Sequence, residues 1–269
     1  MKSVAAPVPR ADIGAELIRD WAPDEPPRAT VVLVHGLAEH SGRYERVGDL
    51  LSGAGLHVRS FDLIGAGRTG GKRWDIDRWS RYHDQIERHM SWAREQGRPV
   101  ILMGHSLGGN LALGYAESRR PAADLLVVTA PGVEGGAAWQ KAAAPIAAKL
   151  APGLYMANGV KGDQLSRDPA VAEAYFADPL VHVKSTTRLG AALFQAMSDV
   201  IADADRIEAP TLVLHGAADP IVPPQSTAFL GELSGVERRL YPGLRHEILN
   251  EPEGPEIVAE IIDWINDRI

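Results

Sequence analysis

Two stretches of the chain, VVLVHG (31–36) and VILMGHS (100–106), are apolar on consecutive rather than alternate residues. A strand with one wet face alternates, whereas a strand covered on both faces has no polar side to show. Interior strands of a parallel sheet read this way. Apolar, β-branched runs recur at 30–36, 57–62, 99–106, 124–131 and 209–216, and 238–243 reads as a final, more exposed strand. Longer helical patterns lie between them. That alternation predicts βαβ units, hence an α/β fold with a mostly parallel central sheet flanked by helices. A chain of 269 residues can bury such a core as a single domain.

Residues 43–54 place Tyr44, Val47, Leu50 and Leu51 at helical spacing, and a second helix opens at Leu107. The last pattern puts Ile257, Ile261, Trp264 and Ile265 on one face. Residues 132–205 break the rhythm: they are Ala-rich, carry no clear strand and hold several short helix patterns. Asp168-Pro169 is a helix start, an N-cap followed by Pro at the first helical position. Ser185 is placed to cap another helix bearing Leu189, Leu193 and Met197 on one face. The expected organisation is a core in two parts, 1–131 and 206–269, with a helical cap or lid, 132–205, inserted between strands.

The chemistry centres on Gly104-His105-Ser106-Leu107-Gly108, a G-x-S-x-G match between a predicted buried strand and a predicted helix. That strand–turn–helix context identifies the nucleophile elbow of the α/β-hydrolase fold. Glycines two residues either side let the chain turn sharply, and the serine emerges at a helix N-terminus, which favours developing negative charge. A serine hydroxyl needs a base to take its proton, and in this fold the partners follow in the order Ser, acid, His. Asp219 lies just past run 209–216, and His246 just past run 238–243; ligand sites gather at such strand ends. Taken alone, Asp219 before Pro220 would serve equally as a turn residue, and His246 is one of nine histidines. Chain order and position relative to Ser106 select them. Asp203 and Asp205 are rival acids but precede the strand. The oxyanion hole is assigned to the backbone N–H groups of Leu107 and of Leu37, after His35-Gly36.

The remaining histidines show no metal-ligand spacing, so no metal or organic cofactor is expected, and they are read as surface or local packing residues. A net charge of -7 and the lack of any basic cluster argue against nucleic acid as a partner. The absence of cysteine excludes disulfides, thiolate metal sites and Cys nucleophiles. Pro7, Pro9, Arg10 and Asp12 interrupt any signal-peptide core. No run approaches the roughly 20 apolar residues of a membrane span. The expectation is a cytoplasmic protein whose cap, with Lys141 and Lys149 among apolar residues, permits transient contact with a membrane or micelle.

Beyond these local signals, the chain resembles monoacylglycerol lipases and lysophospholipase-like hydrolases, especially bacterial ones. The resemblance rests on residues 35–44 (HGLAEHSGRY), 104–109, Ser166-Arg167-Asp168-Pro169, Asp178-Pro179-Leu180-Val181-His182, Tyr241-Pro242-Gly243 and His246-Glu247. It runs from about Ala29 onward and includes the cap. It implies Ser106, Asp219 and His246 as a triad, Leu37 and Leu107 framing the oxyanion hole, and a mobile cap over an apolar acyl tunnel. The implied substrate is a small-molecule acyl ester, cleaved through an acyl-enzyme. A short-chain carboxylesterase, lysophospholipase, thioesterase or perhydrolase would use the same triad, and a non-catalytic ligand-binding member of the fold is a remote alternative. Dehalogenases and epoxide hydrolases are disfavoured because they place Asp where Ser106 stands. One departure is visible: where the family has Gly-His-Gly-x-Ser-x-Gly, this chain has Ala66 and Thr69 in place of the His and Ser, in a loop expected to support the active-site wall.

Overall fold

The structure is a computed structural model and describes residues 3–269. The chain runs β1 (Val4–Arg10), β2 (Gly14–Trp21), β3 (Ala29–Val34), α1 (Glu45–Gly53), β4 (Leu56–Phe61), α2 (Ser80–Glu95), β5 (Val100–His105), α3 (Leu107–Ala116) and β6 (Leu125–Thr129). It continues α4 (Ala138–Leu150), β7 (Tyr155–Ala157), α5 (Pro169–Ala177), β8 (Lys184–Thr186), α6 (Thr187–Asp203), β9 (Thr211–Gly216), β10 (Val236–Tyr241) and α7 (Gly254–Asn266). Eight strands form one sheet in the order β1-β2-β4-β3-β5-β6-β9-β10. The pairs from β4 to β10 are parallel, and only β1 and β2 run antiparallel to their neighbours.

The consecutive apolar runs have the expected cause. Val32 and Val34 of β3, with Val100 and Leu102 of β5, pack into a core shared with α2 and α3. The intervening Val31, Leu33, Ile101 and Met103 face a second core under α1 and α7. Ile257, Ile261, Trp264 and Ile265 of α7 are all buried there. The predicted strands appear within a residue or two of their expected bounds.

Several local expectations change. The segment read as helix from Arg43 begins instead with a tighter 3-10 turn, Ser41–Tyr44. The β1–β2 hairpin and α2 were not anticipated. The stretch between β6 and β9 does contain strands, the short antiparallel pair β7 and β8. Asp168 caps α5 as expected, accepting the Ala170 N–H at 2.9 Å. For α6 the cap is Thr186, not Ser185: Thr186 Oγ1 accepts the Leu189 N–H, while the Ser185 hydroxyl bonds Asn158. Among the described residues no helix is long and apolar enough to cross a membrane.

Candidate active site

Ser106 stands between β5 and α3 with φ 52°, in the left-handed region that a non-glycine residue enters only when its surroundings impose it. Its N–H donates to Thr129 O on β6, and its carbonyl accepts from Asn110 N and Gly132 N, so both sides of the peptide are held. The flanking glycines are required by close approach. A Cβ on Gly104 would stand 2.2 Å from Gly108 O, and one on Gly108 would stand 2.1 Å from Val34 O. Strand and helix meet backbone to backbone here, and this brings the helix N-terminus under the serine.

The partners arrive from the far ends of β9 and β10. The Ser106 hydroxyl donates to His246 Nε2 at 2.9 Å, and His246 Nδ1–H donates to Asp219 Oδ2 at 2.7 Å. Asp219 Oδ1 accepts the N–H groups of Ile221 and Val222 at 2.8 and 3.0 Å. Burial alone would raise the Asp219 carboxyl, but the His246 charge, hydrogen bonds from His215 and His246, and the Val222 N–H hold it well below the usual carboxylate range. For His246, burial favours the neutral ring, yet the Asp219 charge outweighs it and raises the imidazole above its ordinary value. The structure thus brings Ser106, His246 and Asp219 into one hydrogen-bonded chain. Asp203 instead pairs with Arg206, away from it.

The chain opens into a cavity of about 620 Å³, within the size range of small-molecule sites. Leu37 and Leu107 line it beside Ser106, and its walls are mainly apolar, with Trp139, Leu154, Leu193, Phe194 and Met197 from the segment between β6 and β9. That segment is fastened to the site's rim. His182 N donates to Ala38 O at 2.9 Å, His40 Nε2 bonds Asp178 at 2.8 Å, and Glu247 N donates to Leu165 O at 2.8 Å. Among the described residues no group of three or more His, Asp or Glu is spaced to hold a metal ion.

Sequence reasoning missed a charged layer behind the site. Glu39 Oε1 accepts the Gly36 N–H and the Tyr44 hydroxyl, while Arg43 Nη1 bridges Glu39 Oε2 at 2.6 Å and Glu247 Oε1 at 2.7 Å. Arg43 Nη2 adds a second bond to Glu247 at 2.8 Å, and its guanidinium lies over the Tyr175 ring of α5. Burial would raise Glu39, but Arg43, then His105 and His35, bring its carboxyl down to about 2. This layer ties the loop after β3 to the loop that carries His246. The histidines read as surface or packing residues are largely interior: His35, His89 and His215 are buried, and His215 touches Asp219. His105 is pushed down to about 4 by burial and by His246, whose ring centroid is 4.9 Å away. Glu39 and Arg43 were visible in the HGLAEHSGRY stretch; their pairing with Glu247, over two hundred residues on, was not.

The departed loop stands behind the cavity rather than in its lining. Ala66 is fully buried among Leu63, Ile64, Trp74 and Ile76 and does not line the cavity. Thr69 Oγ1 accepts the Leu17 N–H at 2.9 Å. Support reaches the site through Asp62, which accepts from Arg68 N on one oxygen and from Ser41 N and Oγ on the other.

Comparison with known proteins agrees with this architecture. Residues 25–253 match the hydrolase family described as serine aminopeptidase, S33. The chain is 35% identical to a monoacylglycerol lipase of Mycolicibacterium smegmatis, over 94% of this chain and 93% of that protein. The crystal structure of a Paleococcus ferrophilus monoacylglycerol lipase superposes with a TM-score of 0.84 at 34% identity, covering 94% of this chain and 98% of its own. A soluble variant of the Saccharomyces cerevisiae monoglyceride lipase, in complex with a substrate analogue, has a TM-score of 0.90 at 20% identity, covering 100% and 96%, a likeness of fold. With the family match spanning most of its length and a relative this similar along nearly all of it, the chain belongs to this serine-hydrolase family of the α/β-hydrolase fold.

Proposed function

We propose that the chain is a carboxylic-ester hydrolase that cleaves monoacylglycerols through an acyl-enzyme on Ser106. The observation that carries the reading is the Ser106–His246–Asp219 chain opening into a large apolar cavity. In this mechanism His246 Nε2 takes the Ser106 proton as Oγ attacks the ester carbonyl, and Asp219 stabilises the imidazolium that forms. The oxyanion is held by the N–H groups of Leu37 and Leu107; the latter belongs to the first turn of α3, whose amides have no partner within the helix. His246 then protonates the leaving glycerol oxygen and activates the water that releases the fatty acid. The names of the similar lipases favour a monoacylglycerol over a peptide substrate.

Residues 132–205 act as the cap. Its α4 has no buried residue, and Trp139, Ile146 and Leu150 are 70, 63 and 79% exposed beside Lys141 and Lys149. Such an apolar face with basic neighbours suits transient contact with a membrane or micelle holding the substrate. The test is hydrolysis of 1-monoacylglycerols from C4 to C18 by wild type and Ser106→Ala. Serine-dependent turnover favouring medium or long chains is expected. Activity limited to short or activated esters would remove the lipase reading, and an active Ser106→Ala would remove the mechanism.

A further inference from the structure

His246 is not the only imidazole on the Asp219 carboxylate. His215 stands at the C-terminal end of β9, fully buried, four residues before Asp219. Its Nε2 lies 3.0 Å from Asp219 Oδ2, the same oxygen that receives His246 Nδ1–H at 2.7 Å, and 3.0 Å from the carbonyl oxygen of Val222. A carbonyl can only accept, so the proton of the neutral ring belongs on Nε2, shared between Asp219 and Val222 O. The other nitrogen, Nδ1, is then an acceptor facing the Thr227 hydroxyl at 3.3 Å. Thr227 Oγ1 in turn accepts from Arg238 Nε at 3.0 Å and lies 3.0 Å from Pro224 O. The ionisable groups facing His215 are therefore Asp219 on its own loop, His246 across that carboxylate, and Arg238 of β10 through Thr227.

Resting on the assignment of Asp219 as the acid of the triad, we propose that His215 is a positioning residue for that carboxylate. Its Nε2–H holds Asp219 in the rotamer that meets His246 and shares the charge that sets how basic His246 is. With Ile221 N and Val222 N on Oδ1, it leaves each carboxylate oxygen with a fixed donor besides the working histidine. The carboxylate can neither swing nor collect a random water when His246 moves during the reaction. Removing this donor leaves more of the Asp219 charge to His246, stabilises the imidazolium in the resting enzyme and makes the base harder to free of its proton. Because Ser106 needs His246 neutral, the acid limb of the rate profile then moves to higher pH.

Three observations test this. In 15N-histidine-labelled wild type at pH 7, His215 should show the Nε2–H tautomer; an Nδ1–H tautomer overturns the proposal whatever the activity. His215→Leu should lower kcat roughly tenfold or more with KM nearly unchanged and displace the acid limb upward. His215→Gln, whose amide N–H reaches about as far as Nε2, should recover most of that loss and return the limb. Equal losses in both variants at equal melting temperatures, or a His215→Leu enzyme with the wild-type limb, would reduce His215 to packing. If His215→Leu does not fold, Thr227→Val serves in its place: it frees the Nδ1 side, and a smaller shift of the same sign is expected. An unmoved limb there counts against the proposal. Activity surviving in Ser106→Ala would instead indict the triad itself, which separates the two failures.

Discussion

Replacing Arg43 with methionine tests the charged layer behind the site. Arg43 is 11% exposed and its partners Glu39 and Glu247 are 4 and 5% exposed, so the substitution leaves two carboxylates in a nearly dry site without their shared cation. The methionine keeps aliphatic packing under Tyr175, which isolates the charge. Breaking one partner out of a buried ion pair costs about 3–5 kcal/mol, and at about 2–4 °C per kcal/mol for chains of this size the melting temperature should fall by roughly 6–20 °C. The sign with pH follows from Glu39. Its carboxyl is held at about 2 in the folded protein against 4.5 as a free side chain. Its contribution to stability is therefore complete above pH 4.5 and lost as pH falls towards 2. In Arg43→Met that contribution is gone, so the gap between wild type and variant should be widest at neutral pH and narrow between pH 4.5 and 2. Urea and thermal unfolding by circular dichroism from pH 3 to 8 measure both. A gap below about 1 kcal/mol at pH 7, or one that stays constant down to pH 3, would refute the argument.

Other outcomes follow from the same structure. Gly108→Ala drives a methyl against Val34 O at 2.1 Å, backbone against backbone, and should cost at least about 1–3 kcal/mol in urea unfolding; a neutral result would mean the elbow is looser than described. The kcat/KM profile should rise with a midpoint above the ordinary histidine value of about 6.5, since Asp219 outweighs burial at His246. Asp219→Asn should drop the rate sharply and lower the midpoint, and an unchanged midpoint would contradict the cause given. Glu117, buried beside Asp203, is raised by burial and by that neighbour to about 8. The folded protein therefore keeps a proton there that the unfolded chain sheds near 4.5, and stability falls as pH rises between those values. Glu117→Gln should melt above wild type at pH 8 and level with it at pH 4.5; equal melting at both refutes the shift.

What the sequence determined by itself was whatever is written locally. A strand buried on both faces has no choice but consecutive apolar residues, so β3 and β5 were legible, and Gly104 and Gly108 announce an elbow because a side chain would collide there. The helix start at Asp168-Pro169 was legible for the same reason. The rest depended on partners distant in the chain. The polar faces of α2 and β2 conceal buried contacts: Glu16 is fully buried and is met by Gln85 and His89 of α2 and by Arg10 of β1, which no hydropathy pattern reveals. The β1 hairpin arm, with Pro7 and Pro9, becomes a strand by pairing with β2 at the sheet edge, where missing N–H donors are tolerated. The cap of α6 moved from Ser185 to Thr186 because Ser185 bonds Asn158 across the β7–β8 pair. Arg43 between Glu39 and Glu247, and His215 on Asp219, exist only once the sheet has brought the strand ends and their loops together. Apolar burial in the sheet and its flanking helices follows from the local pattern of residue types, but a buried polar group is stable only where a specific partner meets it, and tertiary structure supplies that partner.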